Sequence, residues 1–276
     1  MELAPGIYRI TVAEERSPGL YAPNSYLVVG SSAAAFVDTG HNIPEHVQAR
    51  LNYWRSVGEP RVEYIFLTHR HRDHMGGASA ISVATGASIV TSEAERAPID
   101  QALLDGARVG RVARDGEAFD LGGVTLETVY APGHTMGSMC VFHRQQRALF
   151  TGDNVLGSGS TVIHPHEGDI ALYIQSLEHL IGYGAQVIYP GHGAPVRAPE
   201  AKLRELVSHR LEREQQVLDC LRRGKGTIEA IFGELYPELE GRLHHMAREQ
   251  IRSHLAKLVR EEKAVASADG ASYALK

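Results

Sequence analysis

Short apolar runs, separated by glycine and proline, dominate the first two thirds of the chain. Several runs are continuous rather than alternating, which is typical of strands that are covered on both faces. They predict strands at residues 6–12, 25–29, 34–38, 64–68, 88–91, 124–130, 138–143, 148–151 and 187–189. Helical periodicity falls between them at 44–57, 77–85, 92–97 and 169–182, and Ser92-x-x-Glu95 matches a capping box. Strands that alternate with helices predict a layered α/β fold.

The pattern changes after residue 199. Residues 200–223 predict a long amphipathic helix that ends at Gly224, and Thr227 is a candidate N-cap for the next helix. A further helix is predicted near residues 243–262, followed by a hairpin around an Asp269-Gly270 turn. This order is that of a winged-helix module. We therefore predict one domain over residues 1–199, then a connecting helix with a winged-helix domain over 200–276.

A dense group of histidines directly follows the apolar run at 64–67. His69, His71, Asp73 and His74 lie within six residues. Side chains two apart at a strand end point the same way, and a loop can then turn Asp73 and His74 to an adjacent position. Neutral imidazoles and a carboxylate suit a borderline cation such as Zn²⁺, and burying so many polar groups without a metal would be costly. The segment predicts a metal site.

Three further ligand-capable residues follow other apolar runs. His134 lies in Pro-Gly-His-Thr, Asp153 in Thr-Gly-Asp and His192 in Pro-Gly-His-Gly. In each case a strand leads into a glycine-containing loop, where the backbone can approach a ligand closely. Any one of these residues alone is best explained as ordinary loop chemistry, as are the ten remaining histidines of the 15.

Composition narrows the class of protein. The 276-residue chain has 28 Lys and Arg against 33 Asp and Glu, a net charge of −5, which excludes an overall basic nucleic-acid binder but allows a local basic patch. The two cysteines, Cys140 and Cys220, lie too far apart in sequence for a CxxC pair, which excludes a cysteine-based zinc site and a disulfide scaffold. Without a signal-peptide pattern or a membrane-length apolar run, we expect a cytoplasmic protein with no membrane partner.

The order of these residues resembles the metallo-β-lactamase-fold hydrolase superfamily, as do Asn24-Ser25-Tyr26-Leu27 and Val37-Asp38-Thr39-Gly40. The resemblance implies a four-layer αββα sandwich, with the site at one edge between two sheets. It also implies two metal ions per chain, expected to be zinc, with manganese or iron as alternatives. The implied ligands are His69, His71 and His134 for one ion, Asp73, His74 and His192 for the other, and Asp153 as a bridge. Drug-hydrolysing members commonly place a cysteine near the second ion, so Asp153 disfavours a true β-lactamase.

Further motifs narrow the resemblance to the β-lactamase-like protein 2 subgroup, which couples the hydrolase domain to a winged helix. They are Leu149-Phe150-Thr151-Gly152-Asp153, Ile188-Tyr189-Pro190-Gly191-His192-Gly193 and the Ser208-His209-Arg210 segment. That subgroup includes an endoribonuclease of single-stranded RNA, and related chains cleave acyl thioesters. The resemblance therefore implies a hydrolase but leaves its substrate open.

We expect a dinuclear hydrolase in which a metal-bridging hydroxide attacks a small acyl ester, thioester or lactone, with Asp73 orienting it. The alternatives are a single-stranded RNA endonuclease and a non-catalytic metal-binding regulatory module. The seven ligands disfavour the last, because a structural zinc needs four. Residues 200–276 contain 14 basic and 13 acidic residues, leaving 14 against 20 in residues 1–199, so the charge offers RNA little attraction. The winged helix then caps the site or forms a homodimer.

Several residues outside the ligand set are candidates for supporting the site or contacting substrate. Asp38 is expected to hydrogen-bond a ligand, although a strand-ending turn explains it equally well. Residues 157–173 are expected to pass over the metal mouth, where His164 or His166 could protonate a leaving group and Tyr173 is a further candidate. On the long helix, His209 and Arg210 are candidates for binding an anionic substrate group, with a solvated helix face as the alternative.

Overall fold

Two β-sheets form the centre of the main domain in this computed structural model, which describes residues 1–12 and 22–276. The first sheet has seven strands in chain order: β1 (Glu2–Ala4), β2 (Ile7–Thr11), β3 (Asn24–Val29), β4 (Ala34–Val37), β5 (Val62–Phe66), β6 (Ser88–Thr91) and β7 (Val109–Val112). The second sheet contains the next five strands: β8 (Ala118–Asp120), β9 (Thr125–Tyr130), β10 (Met139–His143), β11 (Ala148–Gly152) and β12 (Val187–Pro190). Their order across the sheet is β12-β11-β10-β9-β8.

Helices cover both outer faces of the sheet pair. One face carries α1 (Pro44–Ser56), the single turn α2 (Arg72–Met75), α3 (Ala78–Thr85) and α4 (Glu93–Ala102), and the other carries α5 (Ile170–Gly182) and the start of α6 (Pro199–Arg222). Three separate apolar clusters occupy the interfaces between these layers. The cluster between the sheets includes Phe66 from the first sheet and Phe150 from the second. The predicted four-layer αββα sandwich is confirmed.

Parallel pairing brings the ends of the ligand-bearing strands to one edge. Strands β4, β5, β6 and β7 run parallel to one another, and so do β11 and β12. The two sheets meet at this edge, where the backbone N–H of Met139 donates to the carbonyl of Thr68 over 3.0 Å. The loops that follow β4, β5, β11 and β12 therefore converge on one place.

The remaining elements form the second unit: α7 (Ile228–Leu235), a 3₁₀ turn (Gly241–Leu243), α8 (His244–Arg260), β13 (Ala264–Ala266) and β14 (Tyr273–Leu275). Thr227 caps α7 as predicted, since its Oγ1 accepts from the N–H of Ala230 over 3.2 Å. Helix α6 belongs to both units, because Leu203 packs in the core of the sandwich and Val217 in the core beneath α8. The domain boundary after residue 199 stays a prediction.

Some local expectations were wrong. Strands β1, β7 and β8 carry no strong apolar run and were missed. The helix predicted over 92–97 continues to Ala102, and a helical turn rather than a loop carries Asp73 and His74. The Ser92 side chain makes no cap hydrogen bond but donates to the Gly137 carbonyl over 2.6 Å, while buried Glu95 accepts from the Gly137 N–H over 3.2 Å. These two side chains therefore join the start of α4 to the loop that carries Gly137.

Candidate metal centre

Seven side chains from five chain segments converge at the shared edge of the two sheets. The segment after β5 brings His69 and His71, and the turn of α2 presents Asp73 and His74 from its first residues. Loops after β9, β11 and β12 bring the other three residues. We call this group the inner centre: His69, His71, Asp73, His74, His134, Asp153 and His192. His69, His74 and His134 are buried, and the others are partly exposed.

Three histidine nitrogens form the first donor set. Nε2 of His69 lies 3.0 Å from Nδ1 of His71, which lies 3.1 Å from Nε2 of His134. The three rings meet edge to face at centroid separations of 4.5–4.8 Å. This arrangement presents three nitrogen atoms to a single point.

Two histidines and a carboxylate form the second donor set. Nε2 of His192 lies 3.2 Å from Nε2 of His74 and 3.1 Å from Oδ2 of Asp73. Asp153 lies between the two sets: its Oδ1 is 3.2 Å from His74, and its Oδ2 is 3.9 Å from Nε2 of His134. One carboxylate thus faces both groups of donors.

Hydrogen bonds on the far side of two rings determine which nitrogen carries the proton. Nδ1 of His134 lies 2.9 Å from the carbonyl of Val162, which can only accept, so that Nδ1 is protonated and Nε2 keeps its lone pair. The hydroxyl of Thr68 donates to Asp38 over 2.9 Å, so it accepts from Nδ1 of His69 over 3.0 Å. Both Nε2 lone pairs point into the first donor set.

Carboxylates likewise determine which nitrogen carries the proton in two more rings. Oδ2 of Asp38 accepts from Nδ1 of His74 over 2.8 Å, and Oε2 of Glu167 accepts from Nε2 of His71 over 3.0 Å. The inward atoms are therefore Nε2 of His74 and Nδ1 of His71. Partners of this kind fix the tautomer and orientation of metal-binding histidines.

The electrostatic environment keeps His69 and His134 neutral and the carboxylates of Asp73 and Asp153 charged. Burial lowers the pKa of His69 well below its ordinary value and lowers that of His134 to about 4. Burial opposes the charge on Asp73 and Asp153, but the neighbouring charge of His74 outweighs it and holds the pKa of both carboxyl groups below the usual range. Burial also disfavours a proton on His74, yet the surrounding carboxylates raise its pKa well above the ordinary value. The surrounding carboxylates therefore favour a positive charge at the His74 ring.

These donors fit divalent cations. Lone pairs from His69, His71 and His134 converge at 3.0–3.1 Å, where neutral acceptors repel one another unless a cation lies among them. Oδ1 of Asp153 is buried and makes no hydrogen bond, although it lies close to His74. Imidazole nitrogens and carboxylate oxygens are the donors that zinc and its neighbours in the first transition series prefer.

The other predicted site residues lie in different places. Asp38 accepts a hydrogen bond from Nδ1 of His74 in the inner centre over 2.8 Å. Tyr173 is buried and donates to the Asn154 carbonyl over 2.8 Å, so it does not reach substrate. Arg210 is also buried, and its guanidinium donates to the Thr161 carbonyl over 2.6 Å, which contradicts the expectation that it binds an anionic substrate group. His209 is half-buried on α6, and the structure does not place it in the inner centre.

His164 and His166 do not join the inner centre. They lie beside Glu249 of α8, with Nδ1 of His164 3.4 Å from Oε2 of that glutamate. Glu167, one residue further on, was missed by sequence reasoning although it contacts His71. A single glutamate in a loop has no distinguishing pattern, and its partner lies 96 residues away.

Comparison with known families defines the class of this protein. Residues 18–192 match the model described as the metallo-beta-lactamase superfamily, and residues 227–272 match that of the beta-lactamase associated winged helix domain. The first match spans more than half of the chain. The chain therefore belongs to the metallo-beta-lactamase superfamily of hydrolases and carries the associated winged-helix domain, as its motifs predicted.

Curated relatives are similar over most of the chain. The lactamase-like protein aptB of Emericella nidulans is 32% identical over 80% of this chain and 72% of its own length. The lactamase-like protein nscB of Trichophyton rubrum is 31% identical over 82% of this chain and 67% of its own length. The atrochrysone carboxyl ACP thioesterase of Aspergillus chevalieri is 29% identical over 82% of this chain and 71% of its own length.

Solved structures share the whole fold. A beta-lactamase domain protein from Burkholderia ambifaria has a TM-score of 0.86 at 21% identity, covering 100% of this chain and 93% of the other. A metallo-beta-lactamase family protein from Thermus thermophilus has a TM-score of 0.80 at 24% identity, with 100% of each chain covered. In the described parts of the chain, 1–12 and 22–276, we find no helix with the length and apolar character needed to cross a membrane.

Proposed function

We propose that the chain is a dinuclear zinc hydrolase of small acyl substrates, with acyl thioesters as the preferred class and esters or lactones as related ones. The observation that carries this proposal is the position of Asp153 between two sets of three donors. A structural zinc closes its shell with four ligands, whereas two adjoining sets of three leave positions for water and substrate. The set made of His69, His71 and His134 would hold one ion, and Asp73, His74 and His192 the other.

Divalent ions bound at this place would supply Lewis-acid activation of a water molecule and of the scissile carbonyl. The protein's own part is to keep the donor atoms aimed inward. Asp38 and Glu167 hold two imidazoles through their outer nitrogens, and the Val162 carbonyl holds a third. Asp73 stays ionised at neutral pH, so its carboxylate accepts rather than donates a proton. We assign it the orienting of the attacking water.

Two observations favour an acyl substrate. One relative is named as an acyl-carrier thioesterase. A cavity of about 600 Å³ also opens at the same sheet edge, lined among others by Ala113, Tyr130 and Met139. The backbone of Met139 binds the carbonyl of Thr68, the residue before His69, which links the cavity wall to the inner centre. A largely apolar wall suits the hydrocarbon part of an acyl group.

The winged helix supports RNA cleavage less well. A winged helix that reads nucleic acid presents a helix to the groove. Here α8 turns Ser253 and Gln250 toward the hydrolase domain, where both donate to the carbonyl of Ile163. That face of α8 is therefore occupied within the chain.

The proposal is tested by assaying zinc-loaded protein on acyl-pantetheine thioesters, aryl esters, lactones and a single-stranded RNA oligomer. We expect thioester hydrolysis that falls by about 10²-fold or more in Asp73→Asn, the loss typical of removing a side chain that accepts a proton from the attacking group. Asp105→Asn is the matched control, because Asp105 is exposed and lies outside the inner centre.

Two outcomes would overturn the proposal. RNA cleavage that disappears in Asp73→Asn, with no thioester, ester or lactone turnover, would replace the substrate class. Absence of metal-dependent turnover on every substrate in the panel would refute catalysis of this kind altogether.

A further inference from the structure

A second group of ligand-type side chains lies at the junction of the two domains. His164 and His166 come from the loop that follows β11, and Glu249 comes from α8 of the winged helix. One donor atom from each of these residues lies within 4.8 Å of the other two. We call this group the outer cluster. It shares no residue with the inner centre.

The backbone holds the histidine side of the outer cluster in place. The carbonyl of His164 accepts hydrogen bonds from the N–H groups of Glu167 and Gly168, over 3.0 and 2.8 Å. The preceding carbonyl, that of Ile163, accepts from the hydroxyl of Ser253 on α8. The backbone at His164 is thus held against the winged helix before any ion binds.

The carboxylate side is equally well placed. The side chain of Glu249 is 10% exposed. Its Oε1 pairs with Arg252, while its Oε2 faces Nδ1 of His164 at 3.4 Å. His245 lies one helical turn before Glu249 on α8, with its ring centroid 6.5 Å from that of His164.

The chemistry of this set points to a borderline divalent ion. Two imidazoles and one carboxylate are suited to zinc, nickel or copper, whereas calcium and magnesium require oxygen ligands. Ligand atoms around a tetrahedral zinc are about 3.4 Å apart, as follows from bond lengths of about 2.1 Å. The side chains of His164 and His166 are 28% and 70% exposed, so their rings have room to rotate. Rotation can shorten the present donor separations of up to 4.8 Å to those around a bound ion.

We propose that His164, His166 and Glu249 form a peripheral zinc site that ties the hydrolase domain to the winged helix. The tied loop also supports the inner centre, because the Val162 carbonyl orients His134 and the next residue after His166, Glu167, orients His71. An ion in the outer cluster therefore holds this loop at both of those contacts.

The test counts zinc ions per chain on the full-length protein. Protein is dialysed against buffered zinc, and bound metal is measured by mass spectrometry in the unaltered chain and in the double variant His164→Gln/His166→Gln. The control is His179→Gln, which removes an exposed histidine on α5. We expect one zinc fewer in the double variant and no change in the control. The test depends on the difference in zinc count between the unaltered chain and the double variant. It is therefore valid whether the inner centre binds one ion or two.

A second variant guards against an effect on folding. Glu249→Gln changes the winged-helix side of the outer cluster and should also lose one ion, with a circular dichroism spectrum like that of the unaltered chain. Equal zinc counts in the unaltered chain and the double variant would overturn the proposal. So would a count in Glu249→Gln that matches the unaltered chain, because the ion would then not join the two domains.

Discussion

Asp38 offers the sharpest test of how the inner centre is held. Its carboxylate accepts three hydrogen bonds: the Thr68 N–H on Oδ1 at 2.9 Å, and the Thr68 hydroxyl and His74 Nδ1 on Oδ2 at 2.9 and 2.8 Å. Asp38 has a φ of 57°, in the left-handed region, which asparagine tolerates as well as aspartate. Asp38→Asn therefore changes the hydrogen bonding without straining the loop.

Either orientation of the new amide places a donor against a donor. With the amide nitrogen in place of Oδ2, it faces the N–H of His74 and drives the proton to Nε2, the atom that points into the second donor set. With the nitrogen in place of Oδ1, it faces the backbone N–H of Thr68, next to His69. Both arrangements weaken the inner centre.

The expected loss is one to two orders of magnitude in zinc affinity, which is the usual effect of removing an outer hydrogen-bond partner. In free energy this is about 1.4–2.7 kcal/mol. The metal-free protein should also lose about 1–3 kcal/mol in its free energy of unfolding, because one buried donor is left without an acceptor.

The assay is a zinc titration in competition with a chromophoric chelator. Asp105→Asn is the matched control, since Asp105 has a φ of 54° and is exposed, so the same substitution occurs in the same backbone conformation. Unchanged zinc affinity in Asp38→Asn would refute the tautomer argument. An equal loss in the control would show that the effect is not specific to the inner centre.

Three more predictions concern the surroundings of the site. A Cβ at Gly191 would lie 2.6 Å from Oδ1 of Asp153, so Gly191→Ala should lower zinc affinity at least about tenfold in the same titration; unchanged affinity would show that the loop moves freely. Arg210→Lys keeps the buried charge but loses the planar pair of donors, one of which binds Thr161, and urea unfolding should show a loss of about 1–3 kcal/mol; equal stability would contradict the role of this contact. Burial, followed by the charge of Arg210, lowers the pKa of His254 to about 3, against about 6.5 in an unfolded chain. Below pH 6.5 the unfolded chain takes up a proton at His254 that the folded chain does not, so about 2 kcal/mol of the free energy of unfolding is lost between pH 7 and pH 5. Urea unfolding with chelator present should show a smaller loss between pH 7 and 5 in His254→Leu, and identical losses would refute the assignment.

The strands that carry the site were predictable because their side chains are buried on both faces. Strand β11 is buried at every position, and its apolar run is therefore continuous. Strands β7 and β8 lie at sheet edges and expose half or more of their residues, including Gly110 and Arg111. Such strands have no local apolar pattern, so only their pairing in the folded chain reveals them.

The end of α4 shows tertiary packing overriding a local signal. Pro98 predicts a helix end, since proline removes a backbone donor and disfavours a helical residue before it. The helix instead continues to Ala102, and Ile99 is fully buried in the core outside the first sheet. Burying Ile99 stabilises the longer helix. The sequence around Pro98 contains no pattern that indicates this burial.

The donor set could be proposed from the sequence because each member follows a strand end, whereas the residues that support it could not. Glu167 and Arg210 have partners 96 and 49 residues away. In the sequence one is an ordinary loop glutamate and the other an ordinary helix arginine. Their roles depend on the folding of the 157–169 loop between the inner centre and α8.

The zinc content of the inner centre tests the central claim most directly. It is measured after dialysis in the His164→Gln/His166→Gln protein, in which the outer cluster is removed, and in the same protein with Asp153→Asn added. We predict two zinc ions per chain in the first protein and at most one in the second, because Asp153 faces both donor sets. Fewer than two ions in the first protein, or two retained in the second, would contradict the account.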